Sequence, residues 1–320
     1  MQDFVEQLSI VFNAVAPFFL IMSFGWLAVR LQLVGDKFIA GTNKLVFTCF
    51  FPAALFMSMY QADLANAFEP MLVGYFLVTA LLVYLLSWVI GARFLPRPVL
   101  ASFVQAVYRG NYIILAMAVI PLLMGPASLP VTALMVPFVV VTYNIMAAVV
   151  FTVNGLAADI SGRKRMKEVL LGICKNPVII GCVLGVVVNL LGVRLPVIVD
   201  RSFTSLAAAG PTVAMLALGG VMSAEKVRRN FRVALVAAAA KNLLVPLVFI
   251  VPAVFLGFRD IELAVIAMIG LSPVATLTYV TAVELGGDAD AAASCLVLSN
   301  GLAIFTIVPG LTMLRMLGLL

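Results

Sequence analysis

Apolar runs long enough to cross a bilayer recur along the whole chain, separated by short polar stretches. A transmembrane helix needs about 20 mostly apolar residues. Only 11% of the residues are charged and 64% are apolar, whereas a soluble domain has about a quarter charged residues. The sequence therefore predicts an all-α integral membrane protein surrounded by lipid bilayer. We place ten spans, at 9–29, 38–60, 70–92, 100–125, 129–152, 177–193, 203–223, 233–256, 261–284 and 291–314.

The two halves of the chain resemble each other. A shift of 160 residues places Gly25 on Gly185 and Gly110 on Gly270, and each of the first five spans lands on one of the last five. Because five is odd, the two halves must cross the membrane in opposite directions, which makes them inverted repeats. The predicted organisation is a first repeat at 1–152, a cytoplasmic linker at 153–176 and a second repeat at 177–320.

The net charge of +6 reflects cations in the loops. The loops after odd-numbered spans hold 13 Lys and Arg residues, and the opposite side of the membrane holds 4. The positive-inside rule therefore predicts that both termini lie on the non-cytoplasmic side. No basic stretch extends beyond short loops, so we expect no nucleic-acid partner.

The sequence argues against a metal site and against an enzyme. The chain has no His, and its four cysteines (Cys49, Cys174, Cys182 and Cys295) have no CxxC spacing, which argues against zinc sites and His-dependent catalysis. No nucleophile–base set or intramembrane Asp pair is evident, so we expect no enzyme, metal or cofactor. Sodium or proton coupling stays open, with Glu284 either a coupling site or a solvated helix end.

Two polar, glycine-containing breaks interrupt apolar runs in matching halves. The first is Gln105–Tyr112, with the helix-breaking Gly110 directly after Arg109, and the second is Gly270–Pro273. Burying Arg in a bilayer costs several kcal/mol, so a chain tolerates it mainly where it lines a cavity inside the protein. Interrupted helices in corresponding positions are the sequence signal for a transporter's binding site.

Arg109 and Asn111 are the main candidates for substrate contact. A guanidinium can hold a carboxylate through two hydrogen bonds; alternatively, Arg109 neutralises a half-helix C-terminus or extends to the membrane edge. Asn111 can donate to a carboxylate or satisfy freed backbone groups. Tyr112, where the half-helix beyond Asn111 begins, is a further candidate for substrate contact, and unpaired N–H groups of that half-helix would suit an anion.

Equivalent candidates come from the second half. The second break and the residues that follow it could contact the substrate as the first break does. Alternatively, Pro273 simply kinks the helix. Lys241, within the eighth span, either balances substrate charge or is a counter-ion for a helix dipole. Asn300 is a candidate neighbour of the substrate or a coupling ion, whereas other polar residues in spans, such as Asn144 and Ser299, are expected to hydrogen-bond between helices. The candidates from this half are Lys241, Ser272, Pro273, Thr276, Thr278 and Asn300.

Several stretches together resemble the auxin efflux carrier family. The resemblance runs in order along nearly the whole chain. Its motifs are Lys44–Phe47, Phe51–Phe56, Arg109–Asn111, Asn176–Ile180, Gly185, Asn189–Gly192, Leu195–Pro196, Leu216–Gly220, Ser272–Pro273, Ala282, Gly287–Asp288, Ala293–Ser294 and Ser299–Asn300.

The resemblance implies a fold of ten spans in two inverted repeats, with spans 4 and 9 broken and crossing, like sodium/proton antiporters and bile-acid symporters. Family members include plant auxin carriers and bacterial permeases for malonate, malate and other organic acids. The compact chain is similar to the bacterial members, which implies the inner membrane. Plant members have Pro where this chain has Gly110, and no Asn follows Pro273 here, so a small carboxylate is favoured over an aromatic auxin.

These observations lead to one functional hypothesis. We expect a secondary-active transporter of small organic anions, with malonate as the first candidate, that works by alternating access. The unit of spans 4 and 9 would move against a scaffold of spans 1, 2, 6 and 7, as in an elevator mechanism, and the protein could act as a monomer or a homodimer. The alternatives are a sodium-coupled bile-acid-type symporter, an ion channel and a non-transporting sensor.

Overall fold

The computed structural model describes residues 2–62, 69–154, 171, 174–222 and 230–320, and over these residues the chain is helical. Helices follow the apolar runs, and several of them end beside a Gly or a polar residue. The helices are α1 (Gln2–Arg30), α2 (Asp36–Leu45), α3 (Phe51–Tyr60), α4 (Pro70–Gly91), α5 (Arg97–Tyr108), α6 (Tyr112–Met124), α7 (Leu129–Val153), α8 (Pro177–Leu190), α9 (Val197–Val221), α10 (Phe231–Ala239), α11 (Val245–Phe255), α12 (Asp260–Leu271), α13 (Thr276–Glu284), α14 (Ala289–Leu302) and α15 (Ile304–Met316).

Six helical segments among the described residues are long and apolar enough to cross a membrane. A seventh is α14 together with α15, which are bent by 48° at their junction. The chain is therefore a multi-pass membrane protein. The other expected spans differ in form: the fourth and ninth are each divided into two half-helices, and the sixth corresponds to the 14-residue α8.

Two of the long segments contain a π-helical turn. Val46–Phe50 joins α2 to α3, and Ala240–Leu244 joins α10 to α11. A proline follows each turn closely, Pro52 in α3 and Pro246 in α11. Because proline has no N–H to give to the preceding turn, the local hydrogen-bond register changes there. The second of these turns contains the buried Lys241.

Helix α1 packs closely on α9, α9 packs on α3, and α3 packs on α8, with α2 also against α9. Glycines permit this approach: a methyl group on Gly25 of α1 would overlap the Leu216 backbone carbonyl in α9, and one on Gly185 of α8 would lie 2.5 Å from the Phe56 carbonyl oxygen in α3. The two contacts are related by the same 160-residue shift that relates the halves of the sequence. We call α1, α2, α3, α8 and α9 the glycine-packed group.

The remaining helices form the rest of the bundle around the two helix breaks. Within it, α5 packs against α4, α13 and α14, and α12 packs against α11 and α6. This part meets the glycine-packed group where α1 contacts α15 and α6, and where α7 contacts α3 and α8. The helix breaks therefore lie deep in the molecule.

The orientation predicted from loop charges stays a prediction, because many of its cations lie outside the described residues. The proposed linker 153–176 also lies mostly outside them. The cations in question are Arg163, Lys164, Arg165, Lys167, Lys226, Arg228 and Arg229.

Candidate functional site

The two helix breaks lie side by side and satisfy each other's backbone groups. The Asn111 amide donates to the Pro273 carbonyl oxygen (2.8 Å), and the Ala275 amide donates to the Arg109 carbonyl oxygen (3.0 Å). Gly110 and Val274 form an antiparallel bridge between these bonds. Breaking a helix inside a membrane frees polar groups that lipid cannot satisfy. Here the polar backbone groups of each break form hydrogen bonds with those of the other. The ends of α5, α6, α12 and α13 therefore meet.

Side chains from α14 and from the π-turn of the eighth expected span support the second break. Ser299 accepts a hydrogen bond from the Val274 amide (3.1 Å) and donates to Asn242 Oδ1 (2.7 Å). Asn300 Nδ2 donates to the carbonyl oxygens of Val274 and Leu296, both at 2.9 Å. Each polar group of Val274 thus has a side-chain partner, which fixes the extended segment in place.

Arg109 is the first residue after α5, and its guanidinium is buried, with 4% of the residue exposed. Its Nη2 donates to Asn144 Oδ1 of α7 at 2.9 Å, whereas its Nη1 has no hydrogen-bond partner among the described atoms. The guanidinium therefore stays inside the bundle instead of extending to the membrane edge. One face of it remains available to a ligand.

Asn111 and Tyr112 follow the break and open α6. Asn111 is 6% exposed, and its Nδ2 has no hydrogen-bond partner among the described atoms. The Tyr112 hydroxyl donates to the Thr132 carbonyl oxygen in α7 (2.9 Å). The Asn111 amide group is thus a second buried donor without a partner, while Tyr112 anchors α6 to α7.

A small cavity with a free volume of about 40 Å³ lies beside Arg109 and Asn111. Helices α6 and α13 both begin at it, and among the described residues no side chain caps either helix. Uncapped helix N-termini carry partial positive charge and unpaired N–H groups. The cavity is lined by Phe47, Arg109, Gly110, Asn111, Tyr112, Ile113, Val139, Val140, Tyr143, Ala275, Thr276 and Leu277.

The electrostatic character of this cavity is positive. Arg109 contributes a full charge, two helix N-termini contribute partial charges, and no Asp or Glu is among the lining residues. The remaining walls are apolar or aromatic, from α7 and from the π-turn of the second expected span. Such a site can bind a small anion with a short carbon skeleton.

Lys241 lies on the other side of the break. It is fully buried, and its Nζ is 3.4 Å from the Gly270 carbonyl oxygen in the last turn of α12. A methyl group on Gly110 would lie 3.0 Å from the same Nζ. The ammonium therefore contacts the C-terminal ends of half-helices, where a cation is favoured.

The predicted site residues thus divide into two sets. Arg109, Asn111, Tyr112 and Thr276 line the cavity together with Gly110. The others do not line it: Ser272 donates to the Met268 carbonyl oxygen, Pro273 pairs with Asn111, Thr278 is buried, and Lys241 and Asn300 support the break from behind. The side chain of Glu284 lies outside the described residues.

Two residues of the site are not singled out from the sequence, Phe47 and Tyr143, which form part of the cavity wall. Asn144, a polar residue in the middle of an apolar span, is expected to hydrogen-bond between helices, and it does so by accepting from Arg109. An aromatic residue in an apolar run gives no such signal.

Comparison with known proteins agrees with this picture. The sequence profile of a family described as "Membrane transport protein" matches residues 10–309. Curated relatives include the "Uncharacterized transporter YfdV" of Escherichia coli strain K12, of Escherichia coli O157:H7 and of Shigella flexneri. Each is 26% identical over 215 residues, which cover 66% of this chain and 68% of the relative.

Proposed function

Because the chain belongs to this membrane transport family, the auxin efflux carrier family, we propose that it is a secondary-active transporter of small organic anions. Malonate and malate are the first candidate substrates. Transport across a lipid bilayer, rather than catalysis, is the activity of the family.

The observation that supports the proposal most strongly is a pair of buried, unpartnered donors at one cavity. Arg109 Nη1 and Asn111 Nδ2 both lack hydrogen-bond partners in the part of the chain that the structure describes, and both residues line the space where α6 and α13 begin. Leaving a buried donor unpaired costs about 1–3 kcal/mol, and more for a charged group. A carboxylate in the cavity would accept hydrogen bonds from both donors and compensate the Arg109 charge.

The walls of the cavity favour a small acid, and its free volume of about 40 Å³ leaves room for a compact ligand only. Val139, Val140 and Phe47 give it an apolar side next to its polar one. A short dicarboxylate or hydroxy acid combines charge and a compact skeleton in the same way.

For the mechanism we propose alternating access in a fold of ten spans, arranged as inverted repeats 1–152 and 177–320 around a linker. Half-helices α5, α6, α12 and α13 would cross and move, together with the rest of the bundle around them, as a unit against the glycine-packed group. The matching contacts of Gly25 and Gly185 support the repeat, since inverted repeats place equivalent helices in equivalent contacts.

The loop charges support a topology in which both termini lie on the non-cytoplasmic side of a bacterial inner membrane. We propose that topology together with the fold. A homodimer would leave one complete cavity in each protomer, because every lining residue comes from the same chain.

Ligand-dependent thermal stability of the purified protein tests the binding site. Malonate or malate should raise the Tm of the wild-type protein, because a ligand that binds only the folded state stabilises it. Arg109→Gln should weaken binding by about tenfold or more, since a charge-assisted pair is replaced by a neutral one. Arg97→Gln removes an exposed arginine at the other end of α5 and should leave the Tm shift unchanged. If malonate or malate raised the Tm of Arg109→Gln as much as that of Arg97→Gln, the Arg109 cavity would be excluded as the binding site.

A further inference from the structure

A long apolar groove lies on the outer surface of the bundle, between α4 and α11. Its free volume is about 570 Å³, against about 40 Å³ for the proposed anion cavity. The lining residues follow one face of each helix, from Met71 to Leu82 on α4 and from Val248 to Phe258 along α11 and the turn after it. Val78, in the middle of the groove, is 70% exposed. The groove therefore opens to the surroundings of the protein, which in a membrane are lipid.

The polar side chains that line the groove already have hydrogen-bond partners. The Tyr75 hydroxyl donates to the Phe249 carbonyl oxygen at 2.6 Å, which ties α4 to α11. The Thr79 hydroxyl donates to the Tyr75 carbonyl oxygen within α4 at 2.8 Å. The other lining side chains are apolar. Unlike the anion cavity, where buried donors have no partner among the described atoms, this groove suits a hydrocarbon chain.

The groove has the length of one leaflet of a bilayer. Its α4 side runs from Met71 to Leu82, which at 1.5 Å per residue is about 16 Å. The hydrocarbon core of a bilayer is about 30 Å thick, so one leaflet contributes about 15 Å. Since α4 extends from Pro70 to Gly91, the groove covers the half of this span that begins at Pro70. An acyl chain of that leaflet has the length to fill it.

Charged groups lie at the end of the groove where α4 begins. The Phe258 ring packs on Tyr75 at this end, with 5.2 Å between ring centroids, and the exposed residues Arg259 and Asp260 follow directly. Arg259 Nη1 donates to the Val254 and Phe258 carbonyl oxygens at 3.0 and 2.7 Å, which holds the guanidinium at the end of α11. A guanidinium binds phosphate well, and the Asp260 carboxylate suits an ammonium.

We propose that this groove binds one acyl chain of a membrane phospholipid, with the lipid phosphate against Arg259 and a headgroup ammonium beside Asp260. An acyl chain in the groove supplies the dispersion contacts that its walls otherwise lack. Lipid tails are as apolar as the helix surface, so the shape of the groove and the headgroup contacts select the bound lipid. The site is separate from the anion cavity and does not depend on the proposed transport function.

Native mass spectrometry of the delipidated, detergent-solubilised protein tests the site, with dioleoyl phosphatidylethanolamine as the probe. The wild type should retain one lipid per chain, and the lipid should raise its Tm. Gly74→Leu places a side chain in the groove, where no atom lies within 4 Å of the added Cβ, so the variant should fold and bind the lipid about tenfold more weakly. Gly41→Leu adds the same side chain at an equally open position in α2 and should bind like the wild type.

Arg259→Gln tests the headgroup contact. It should weaken binding of the phospholipid about tenfold, because a charge-assisted pair becomes a neutral one. Hexadecanol, which has a chain but no phosphate, should bind the wild type and Arg259→Gln equally. Undiminished phospholipid binding by folded Gly74→Leu would overturn the inference. So would a wild-type dimer that Gly74→Leu separates into monomers with the same lipid content, since the groove would then hold a second copy of the chain.

Discussion

At the scale of single residues, Gly110 shows how tightly atoms pack around the first helix break. A methyl group there would meet Lys241 Nζ and the Ser272 carbonyl oxygen, both at 3.0 Å. The φ angle of Gly110 is not positive, so other residues can adopt its backbone conformation. Lack of space, rather than conformation, therefore requires glycine at this position.

The substitution Gly110→Ala should destabilise the protein by about 1–3 kcal/mol, because the added methyl group overpacks a rigid backbone site. The Tm of the detergent-solubilised protein measures the effect. Gly74→Ala in α4 is the matched control, since no atom lies within 4 Å of the added carbon. A Tm for Gly110→Ala as high as that of Gly74→Ala would contradict the described packing.

The sequence identified Arg109 and Asn111 because polar residues are conspicuous in an apolar run. It could not identify the partners that decide which of their atoms stay unpaired. Asn144, for instance, lies 35 residues further along the chain and accepts a hydrogen bond from one side of the Arg109 guanidinium. For Lys241 the sequence left two roles open, and its contact with the end of α12 depends on packing between distant helices.

At the scale of helices, close approach of backbones sets the shape of the glycine-packed group. Gly25 and Gly219 bring α1 and α9 together, and Gly181 and Gly185 bring α3 and α8 together. Membrane helices have little hydrophobic driving force between them, so small residues that permit close packing have a large share in association. These positions explain why the group forms two similar helix pairs.

The variants Gly25→Ala and Gly185→Ala should each destabilise the protein by about 2 kcal/mol or more, since the new carbon would overlap a backbone carbonyl. If the two halves are equivalent, the two decreases in Tm should be similar. Gly74→Ala again serves as the control. A neutral effect of either variant would show that its helix pair is packed less closely than described.

Helix positions were largely predictable from the sequence, because long apolar runs have few alternatives in a membrane. The break of the fourth expected span was predicted at Gln105–Tyr112 and lies at Arg109–Asn111 between α5 and α6. The π-turns were not predicted, since they result from a register change near proline that leaves the apolar pattern intact. The sequence indicates a break of the tenth span at Ser299–Gly301, and the 48° bend between α14 and α15 lies directly after it.

At the scale of the whole molecule, the proposed movement must separate contacts between the glycine-packed group and the rest of the bundle. One such contact joins α1 to α15, where Arg315 Nε donates to Gln7 Oε1 at 2.8 Å. The same arginine reaches the Leu123 carbonyl oxygen of α6 at 3.4 Å. A rigid link at this point should hold the two parts in one arrangement.

We expect a bifunctional thiol reagent that joins Gln7→Cys to Arg315→Cys to abolish uptake, in a background in which the four native cysteines are replaced. Each single variant treated with the same reagent is the control and should remain active. Full uptake by the cross-linked double variant would show that α1 and α15 do not move apart during transport.

The central claim is that the protein carries small carboxylates, and uptake into proteoliposomes tests it most directly. Labelled malonate, malate, lactate and indole-acetate would be offered in turn, with sodium and proton gradients imposed separately. The account predicts saturable uptake of a small carboxylate and competition by related acids. Absence of uptake in either direction by folded protein, or currents without saturation, would contradict a carrier and favour a sensor or a channel.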